Sequence, residues 1–316
     1  MRMNARAAGI LGVVASSAGV ALGQASPADE SSVETARLAL FQPGGNPGTR
    51  ASDAARDTST GTHLRTFELP AVTVEGEASS LREEDRVGSY RQPRWTASRR
   101  FPSTRVYVIP EGKVELEYWY RPTFNRDDKV ETRMLGELEV GLPHRLQLDV
   151  YFRTDQADAG SHALYGEQIE LRWALADWGE IWGNPTLYFE YINLEGRSDR
   201  IEPKLLLGGE IAKGWHWGVN FVAEMEINGP AFEHEYEFTS GVSYTVIDST
   251  FSLGGEFKTS LIDEAGDRGH YTTPYQLGPT FQWKPAGPVT VNLETLVGVG
   301  GESPRGQVTL NVGFEF

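Results

Sequence analysis

Between residue 112 and the C-terminus, hydrophobic and polar residues alternate at every second position. The pattern is clearest in the segments 113–121, 145–153 and 168–175. Because successive side chains of a strand point to opposite faces, this period predicts β-strands with one apolar face and one polar face. Alternation alone fits both a soluble β-sandwich and a membrane barrel.

The number of alternating segments favours a membrane barrel. An even number of strands is expected when a single bacterial chain keeps both barrel ends on the periplasmic side. Many of the segments have the length of about 9 to 11 residues that a tilted spanning strand needs. We predict twelve strands, at 113–121, 130–141, 145–154, 165–175, 186–194, 201–211, 215–228, 234–246, 251–262, 274–284, 288–299 and 305–316.

The connections between these segments alternate in length. If the N-terminus is periplasmic, the odd connections face outside, and they include polar loops at 122–129, 155–164 and 263–273. The even connections face the periplasm and include tight turns at 142–144, 212–214 and 248–250. Long outer loops and short periplasmic turns are typical of bacterial outer-membrane barrels.

Aromatic residues of the apolar face collect near the segment ends, which predicts two girdles at the membrane interfaces. The periplasmic girdle contains Trp173, Trp215, Trp217, Tyr244, Phe251, Trp283 and Phe316, and the outer girdle contains Tyr120, Phe152, Tyr191, Tyr236 and Tyr275. Trp178 and Trp182 lie in a periplasmic connection, either in the same interface or buried beneath the barrel. We therefore predict an all-β fold: a transmembrane antiparallel up-and-down β-barrel of about 12 strands at residues 112–316.

Composition excludes several classes of function. The chain carries 44 Asp and Glu against 29 Lys and Arg, a net charge of -15, which argues against a nucleic-acid partner. It has no cysteine, so disulfides, thiolate metal sites and a lipoprotein anchor are excluded. The six histidines show no metal-ligand spacing. No metal or cofactor is predicted.

The N-terminal third predicts export and a tail. A basic start followed by the small, apolar run 7–22 indicates a secretory signal peptide at 1–25. Residues 26–63 are rich in Ser, Asp, Gly and Pro and predict a disordered periplasmic tail. Residues 64–111 are interpreted as a periplasmic linker or a partial plug.

The last strand alternates apolar residues up to a terminal aromatic, at Val308, Leu310, Val312, Phe314 and Phe316. This pattern resembles the C-terminal signal of Gram-negative outer-membrane barrels. The resemblance implies an outer-membrane location, lipid contact, and recognition of these residues by the barrel-assembly machinery.

Two features precede the barrel. The segment 69–77, Leu-Pro-Ala-Val-Thr-Val-Glu-Gly-Glu, resembles the box by which TonB-dependent receptors bind a periplasmic partner through strand addition. The chain is too short for the plug and about 22 strands of those receptors, so a borrowed or coincidental motif stays open. The segment 91–105 is a basic island that either stops the acidic barrel mouth or forms a solvated linker at anionic lipid headgroups.

The polar face predicts an acidic lumen that attracts cations. The residues assigned to it are Glu115, Glu117, Glu137, Glu139, Asp149, Glu170, Arg172, Glu190, Glu210, Glu224, Glu226, Glu237 and Glu256. We therefore predict a porin-like passive channel for small cationic or neutral solutes. The alternative is a structural or anchoring barrel with a plugged lumen. An outer-membrane enzyme is less favoured, because His216, Asn220, Ser240 and Ser243 form no recognisable nucleophile motif.

Overall fold

The computed structural model describes residues 82–228, 232–285 and 287–316. The described residues all belong to one compact unit of the chain, 73–316. The predicted signal peptide at 1–25, the tail at 26–63 and the box at 69–77 lie outside the described residues.

Fifteen strands and one 3-10 turn make up the regular structure of the described residues. Two short strands and the turn, Arg94–Thr96, precede twelve long strands, and one further two-residue strand lies in an outer loop. In chain order the strands are β1 Arg86–Val87, β2 Gln92–Pro93, β3 Val114–Phe124, β4 Val130–Leu142, β5 Leu146–Gln156, β6 Ala163–Ala174, β7 Thr186–Leu194, β8 Asp199–Ala212, β9 Trp215–Ile227, β10 His234–Ile247, β11 Phe251–Asp263, β12 Tyr271–Thr272, β13 Tyr275–Trp283, β14 Val289–Val299 and β15 Gly306–Glu315.

The twelve long strands form a closed antiparallel barrel. Each strand pairs with its neighbours in sequence, and the last strand pairs with the first at Leu310 and Tyr120. Next to this seam, Lys113 Nζ lies 2.9 Å from the Glu315 carboxylate. Closure leaves no unpaired edge, which a spanning sheet requires because hydrocarbon offers no hydrogen bonds. The predicted fold class is confirmed.

The two faces of the barrel are inverted relative to a soluble protein. On the outside, Leu116 is 51% exposed and Phe152 is 69% exposed. On the inside, Glu117 is 2% exposed and Glu137 is fully buried. An apolar exterior around a polar interior is stable only in contact with lipid, so the barrel resides in the outer membrane. None of the helical segments among the described residues is long and apolar enough to cross a membrane.

Several strands extend farther outward than their sequence pattern predicted. β3 runs to Phe124 instead of residue 121, and β8 begins at Asp199 instead of residue 201. The predicted outer loops at 122–129 and 155–164 are correspondingly shorter, and β12 lies within the predicted loop 263–273. Beyond the hydrocarbon both faces of a strand are polar, so alternation ends before the backbone pairing does.

The predicted tryptophan pair separates into two environments. Trp178 packs edge-on against Trp95 and Tyr107, with ring centroids 5.6 and 5.2 Å apart. Trp182 is 82% exposed. Trp178 therefore belongs to the core beneath the barrel, whereas Trp182 lies at the surface beside Trp217.

Candidate channel site

Residues 82–113, called here the lumenal segment, enter the barrel from its periplasmic end. Their apolar side chains are buried, and they build the larger of two hydrophobic clusters among the described residues. The cluster contains Tyr90, Trp95, Phe101, Val106, Tyr107, Val108 and Ala174. The segment thus fills space that a polar lumen otherwise leaves to water.

Glycines on the inner wall make room for these apolar side chains. A Cβ atom at Gly241 would lie 2.7 Å from the Phe101 ring, and one at Gly208 would lie 2.3 Å from Val106 Cγ1. Any larger residue at these positions clashes with the lumenal segment. The wall is shaped to the segment in the way that close-packed protein interiors are.

Arg99 and Arg105 of the lumenal segment lie among three carboxylates of β3 and β4. Arg99 Nη2 is 2.8 Å from Glu117 and 3.1 Å from Glu139, and Arg105 Nη2 is 2.9 Å from Glu137. The guanidinium of Arg99 also stacks 4.0 Å from the centroid of Trp119. Because the three carboxylates are buried side by side, the two guanidinium groups offset repulsion that otherwise opposes their ionisation.

Arg100 points the other way, into a pocket at the periplasmic end of β9, β10 and β13. Its Nε donates to Ser243 Oγ at 2.9 Å, its Nη1 donates to Gln282 Oε1 at 3.2 Å, and its Nη2 lies 2.7 Å from His216 Nδ1. Since a guanidinium can only donate, this nitrogen of His216 accepts. Burial lowers the pKa of Arg100 to about 10, against the opposing charge of Glu83, so Arg100 stays charged at neutral pH. Burial also raises the pKa of Glu83.

Backbone groups of the lumenal segment are satisfied by side chains of the wall. The Asn220 side chain accepts from Arg105 N at 2.8 Å and donates to Arg105 O at 2.7 Å. Ser103 N donates to Glu256 Oε1 at 3.1 Å, and Ile109 N donates to Gln147 Oε1 at 2.8 Å. These bonds fix an irregular backbone inside the barrel, where its polar groups need partners.

On the outer side of the lumenal segment lies a cavity of about 710 Å³, called here the vestibule. Arg99, Pro102, Ser103 and Arg105 line it from the lumenal segment, and outer-loop residues such as Ser161 and Arg197 also line it. Charged side chains of both signs line the walls between them. The lumen is therefore divided into a filled periplasmic half and a hollow outer half.

The structure distributes the predicted lumen residues over three places. Buried within the barrel are Glu115, Glu117, Glu137, Glu139, Asp149, Glu170, Arg172, Glu190 and Glu256. Half-buried toward the outer end are Glu224, Glu226 and Glu237, which pair with Arg200 or Lys258. Glu210 is exposed and accepts from Trp95 Nε1 at 2.9 Å. Their role in ion selectivity stays a prediction.

Among the described residues, two groups of carboxylates have the spacing of a metal site. They are Glu117, Glu137 and Glu139, and Glu137, Asp149 and Glu170. Arg99 and Arg105 already pair with the first group, and Arg172 Nη2 lies 2.9 Å from Asp149 in the second. Guanidinium groups thus occupy the positions that a cation needs.

Sequence reasoning did not identify the apolar part of the lumenal segment. The signal was a short apolar run at 106–109 next to the basic island, together with glycines at inward positions of β8, β9 and β10. His216, Asn220 and Ser243, which we considered as candidates for catalysis, each contact an arginine of the lumenal segment.

In the predicted assembly signal, Val308, Leu310, Val312 and Phe314 lie on β15 and face outward, and Phe316 directly follows this strand; Phe314 and Phe316 are exposed. Their recognition by the assembly machinery stays a prediction.

Comparison with known proteins gives only a distant likeness. No family model matches the chain. No curated protein matches it. Solved structures that match include the KdgM porin (9% identity, TM-score 0.47, 64% of this chain and 99% of that chain) and the NanC porin (12% identity, TM-score 0.46, 64% and 98%). The translocator domain of the autotransporter NalP from Neisseria meningitidis also matches (11% identity, TM-score 0.38, 65% and 87%).

Proposed function

We propose that this protein is a porin-like channel for small solutes whose lumen is closed, in the conformation described, by the lumenal segment. The observation that carries the proposal is the division of the lumen. A barrel of about twelve strands lies between those filled by side chains and those open to water, and here a separate piece of chain supplies the filling. Displacing that piece opens a continuous passage to the vestibule.

The runner-up is a structural or anchoring barrel in which the lumenal segment never leaves. The same buried contacts support it, because a permanently bound segment also needs satisfied polar groups. The two candidates differ in whether movement of the segment produces a current. A reversible lock on the segment therefore separates them.

A disulfide between the segment and the wall is such a lock. Thr104 Oγ1 and Thr239 Oγ1 lie 3.1 Å apart, and the natural chain has no cysteine. We expect Thr104→Cys/Thr239→Cys to conduct in planar bilayers only after reduction, at the level of the unmodified protein. The single variants should conduct under both conditions. Two results would contradict the channel: no current from the unmodified protein, or a double variant whose current is the same before and after reduction.

We further propose that the segment 69–77 binds a TonB-like periplasmic protein by strand addition. The support is its sequence and its position, four residues before the lumenal segment. Val72→Pro removes a backbone N–H that strand addition uses. We expect this variant, but not Ser79→Pro, to lose binding to a purified TonB C-terminal domain. Equal binding by both variants would show that the resemblance is coincidental.

Transport is proposed in preference to catalysis because His216, Asn220 and Ser243 are engaged by the lumenal segment.

Lipid contact and delivery by the barrel-assembly machinery are part of the same proposal. Removing Phe316, which is exposed at the end of the last strand, should lower the amount of folded barrel in outer membranes. An unchanged amount would argue against an assembly signal.

A further inference from the structure

The vestibule has charges of opposite sign on opposite walls. Its basic wall carries Arg121 on β3, Arg133 on β4 and Arg153 on β5. Its acidic wall carries Glu224 on β9 together with Glu235 and Glu237 on β10. β4 and β10 are separated by five strands in either direction around the ring, so they face each other across the lumen.

The basic wall is short of negative charge. Arg121 and Arg133 are direct cross-strand partners, an arrangement in which like charges repel. Arg133 and Arg153 share one carboxylate, Asp155, at 3.2 and 2.6 Å. Among the residues that the structure describes, Arg121 has no carboxylate within ion-pair distance; Glu294 and Glu237 act on it from farther away, and its guanidinium lies 5.5 Å from the centroid of the Trp119 ring. Glu131 at the outer rim adds a further carboxylate, hydrogen-bonded to Asn125.

The acidic wall has the complementary shortage. Glu224 and Glu235 are direct cross-strand partners. Glu224 pairs with Arg200, and Glu237 pairs with Lys258. Within the described parts of the chain, Glu235 has no cation at ion-pair distance; it has a hydrogen bond with Ser260, and Lys258, the partner of Glu237, acts on it from farther away. Deeper in the lumen, the like-charged pair Glu117 and Glu137 is offset by Arg99 of the lumenal segment. In the vestibule the described residues of the lumenal segment supply no such counterion to Arg121, Arg133 or Glu235.

The dimensions set the size of a molecule that could reach both walls. Twelve tilted strands spaced about 4.8 Å apart give a backbone diameter on the order of 24 Å. Side chains from two walls reduce the gap to on the order of 10 Å, which about three extended residues of a peptide span at roughly 3.3–3.6 Å each. The cavity volume of about 710 Å³ lies within the range of small-molecule sites.

We propose that the vestibule binds a linear zwitterion of about tripeptide length, with its anionic end at Arg121 and Arg133 and its cationic end at Glu235. Each end of such a molecule supplies the charge that one wall lacks. A molecule with a single charge satisfies one wall and leaves the other unchanged. The inference deepens the proposed channel by naming a solute class, but binding itself needs no movement of the lumenal segment.

The test uses full-length protein in detergent with the segment locked by the oxidised Thr104→Cys/Thr239→Cys pair. Binding of trialanine is measured by calorimetry at low salt, because salt screens such contacts. The same measurement uses N-acetyl-trialanine and trialanine amide, each of which lacks one charge. We expect each blocked peptide to bind at least about tenfold more weakly, as for loss of a charged hydrogen-bonded contact.

Two neutralising variants assign the ends. In Arg121→Gln, trialanine amide should bind as tightly as trialanine, and N-acetyl-trialanine should still bind more weakly. In Glu235→Gln, N-acetyl-trialanine should bind as tightly as trialanine, and trialanine amide should still bind more weakly. Neither substitution leaves a former ion-pair partner without its charge, so both barrels should fold, which heat-modifiable migration in gels checks. Lys129→Gln, outside the vestibule lining, is the matched control and should change neither penalty.

Three results would overturn the dipolar site: no binding of trialanine, equal binding of all three peptides, or sensitivity to one end only. None of them bears on whether the unlocked barrel conducts. If the binding test fails and the current depends on the lock, the solute class is rejected and the channel is kept. If the peptide binds as expected and no current is seen, the channel is rejected and the binding site is kept.

Discussion

At the scale of single residues, the lumenal segment is held by charge. Arg99 contacts carboxylates of two strands and stacks on Trp119, so its guanidinium is satisfied on its edge and on its face. Leaving one partner of such a buried group alone is costly, because the remaining charges lose both water and their counterion. The closed state depends on this residue more than on any exposed ion pair of the outer loops.

Arg99→Ala should weaken docking of the lumenal segment. Glu117 then loses its nearer partner and keeps Arg105, whose Nη2 lies 4.0 Å from its carboxylate; removing one partner of a typical buried pair costs about 3–5 kcal/mol. We expect the open probability in planar bilayers to rise at least about tenfold. Arg86→Ala, which removes an exposed charge of the same segment, is the control. Adding Glu117→Gln should partly restore closure; if it does not, electrostatic docking is the wrong explanation.

At the scale of elements, predictability follows periodicity. The barrel strands were predictable because each has one face in lipid, and that face imposes a period of two. The outer end of β3 was not, since Pro122, Thr123 and Phe124 pair with a neighbouring strand after the lipid face has ended. The path of the lumenal segment was not predictable either. Its 106–109 run is buried on all sides, so no period marks it.

The pairing of lumen carboxylates with arginines could not be predicted from the alternation of apolar and polar residues either. Alternation places Glu117, Glu137 and Glu256 inside, but their partners come from an irregular segment. Arg99 and Arg100 are neighbours in sequence, yet they point to opposite sides of the lumen. The next residue, Phe101, packs against the wall at Gly241, a contact that the alternation of the strands does not reveal.

Gly241 gives a test at this scale. A valine there collides with the Phe101 ring, and overpacking of this kind costs about 1–3 kcal/mol. The Gly241→Val variant should therefore carry a larger bilayer current than the unmodified protein. Gly136→Val, where a Cβ meets no atom within 4 Å, should leave the current unchanged. Adding Phe101→Ala to Gly241→Val should lower the bilayer current again. If it does not, the contact between Gly241 and Phe101 does not control the current.

At the scale of the whole molecule, the lumenal segment sets the charge of the passage. In the closed state, its arginines offset the Glu117, Glu137 and Glu139 cluster. In the proposed open state these cations have left with the segment, and the carboxylates face the solution. The cation preference expected from the acidic strands is then a property of the open barrel and not of the closed one.

A barrel lacking residues 64–105 should therefore be open and cation-selective. Carboxylates lining a wet pore concentrate cations and repel anions, so its reversal potential in a potassium chloride gradient should have the sign of K⁺ selectivity. Adding Glu137→Gln and Glu139→Gln removes two of the exposed carboxylates and should reduce that potential, whereas Lys129→Gln on the outer loop should not. Correct folding of each barrel is checked by heat-modifiable migration before recording. An anion-selective current from the shortened barrel would mean that Arg121, Arg133 and Arg153 dominate the passage, and the link between segment release and cation preference would fail.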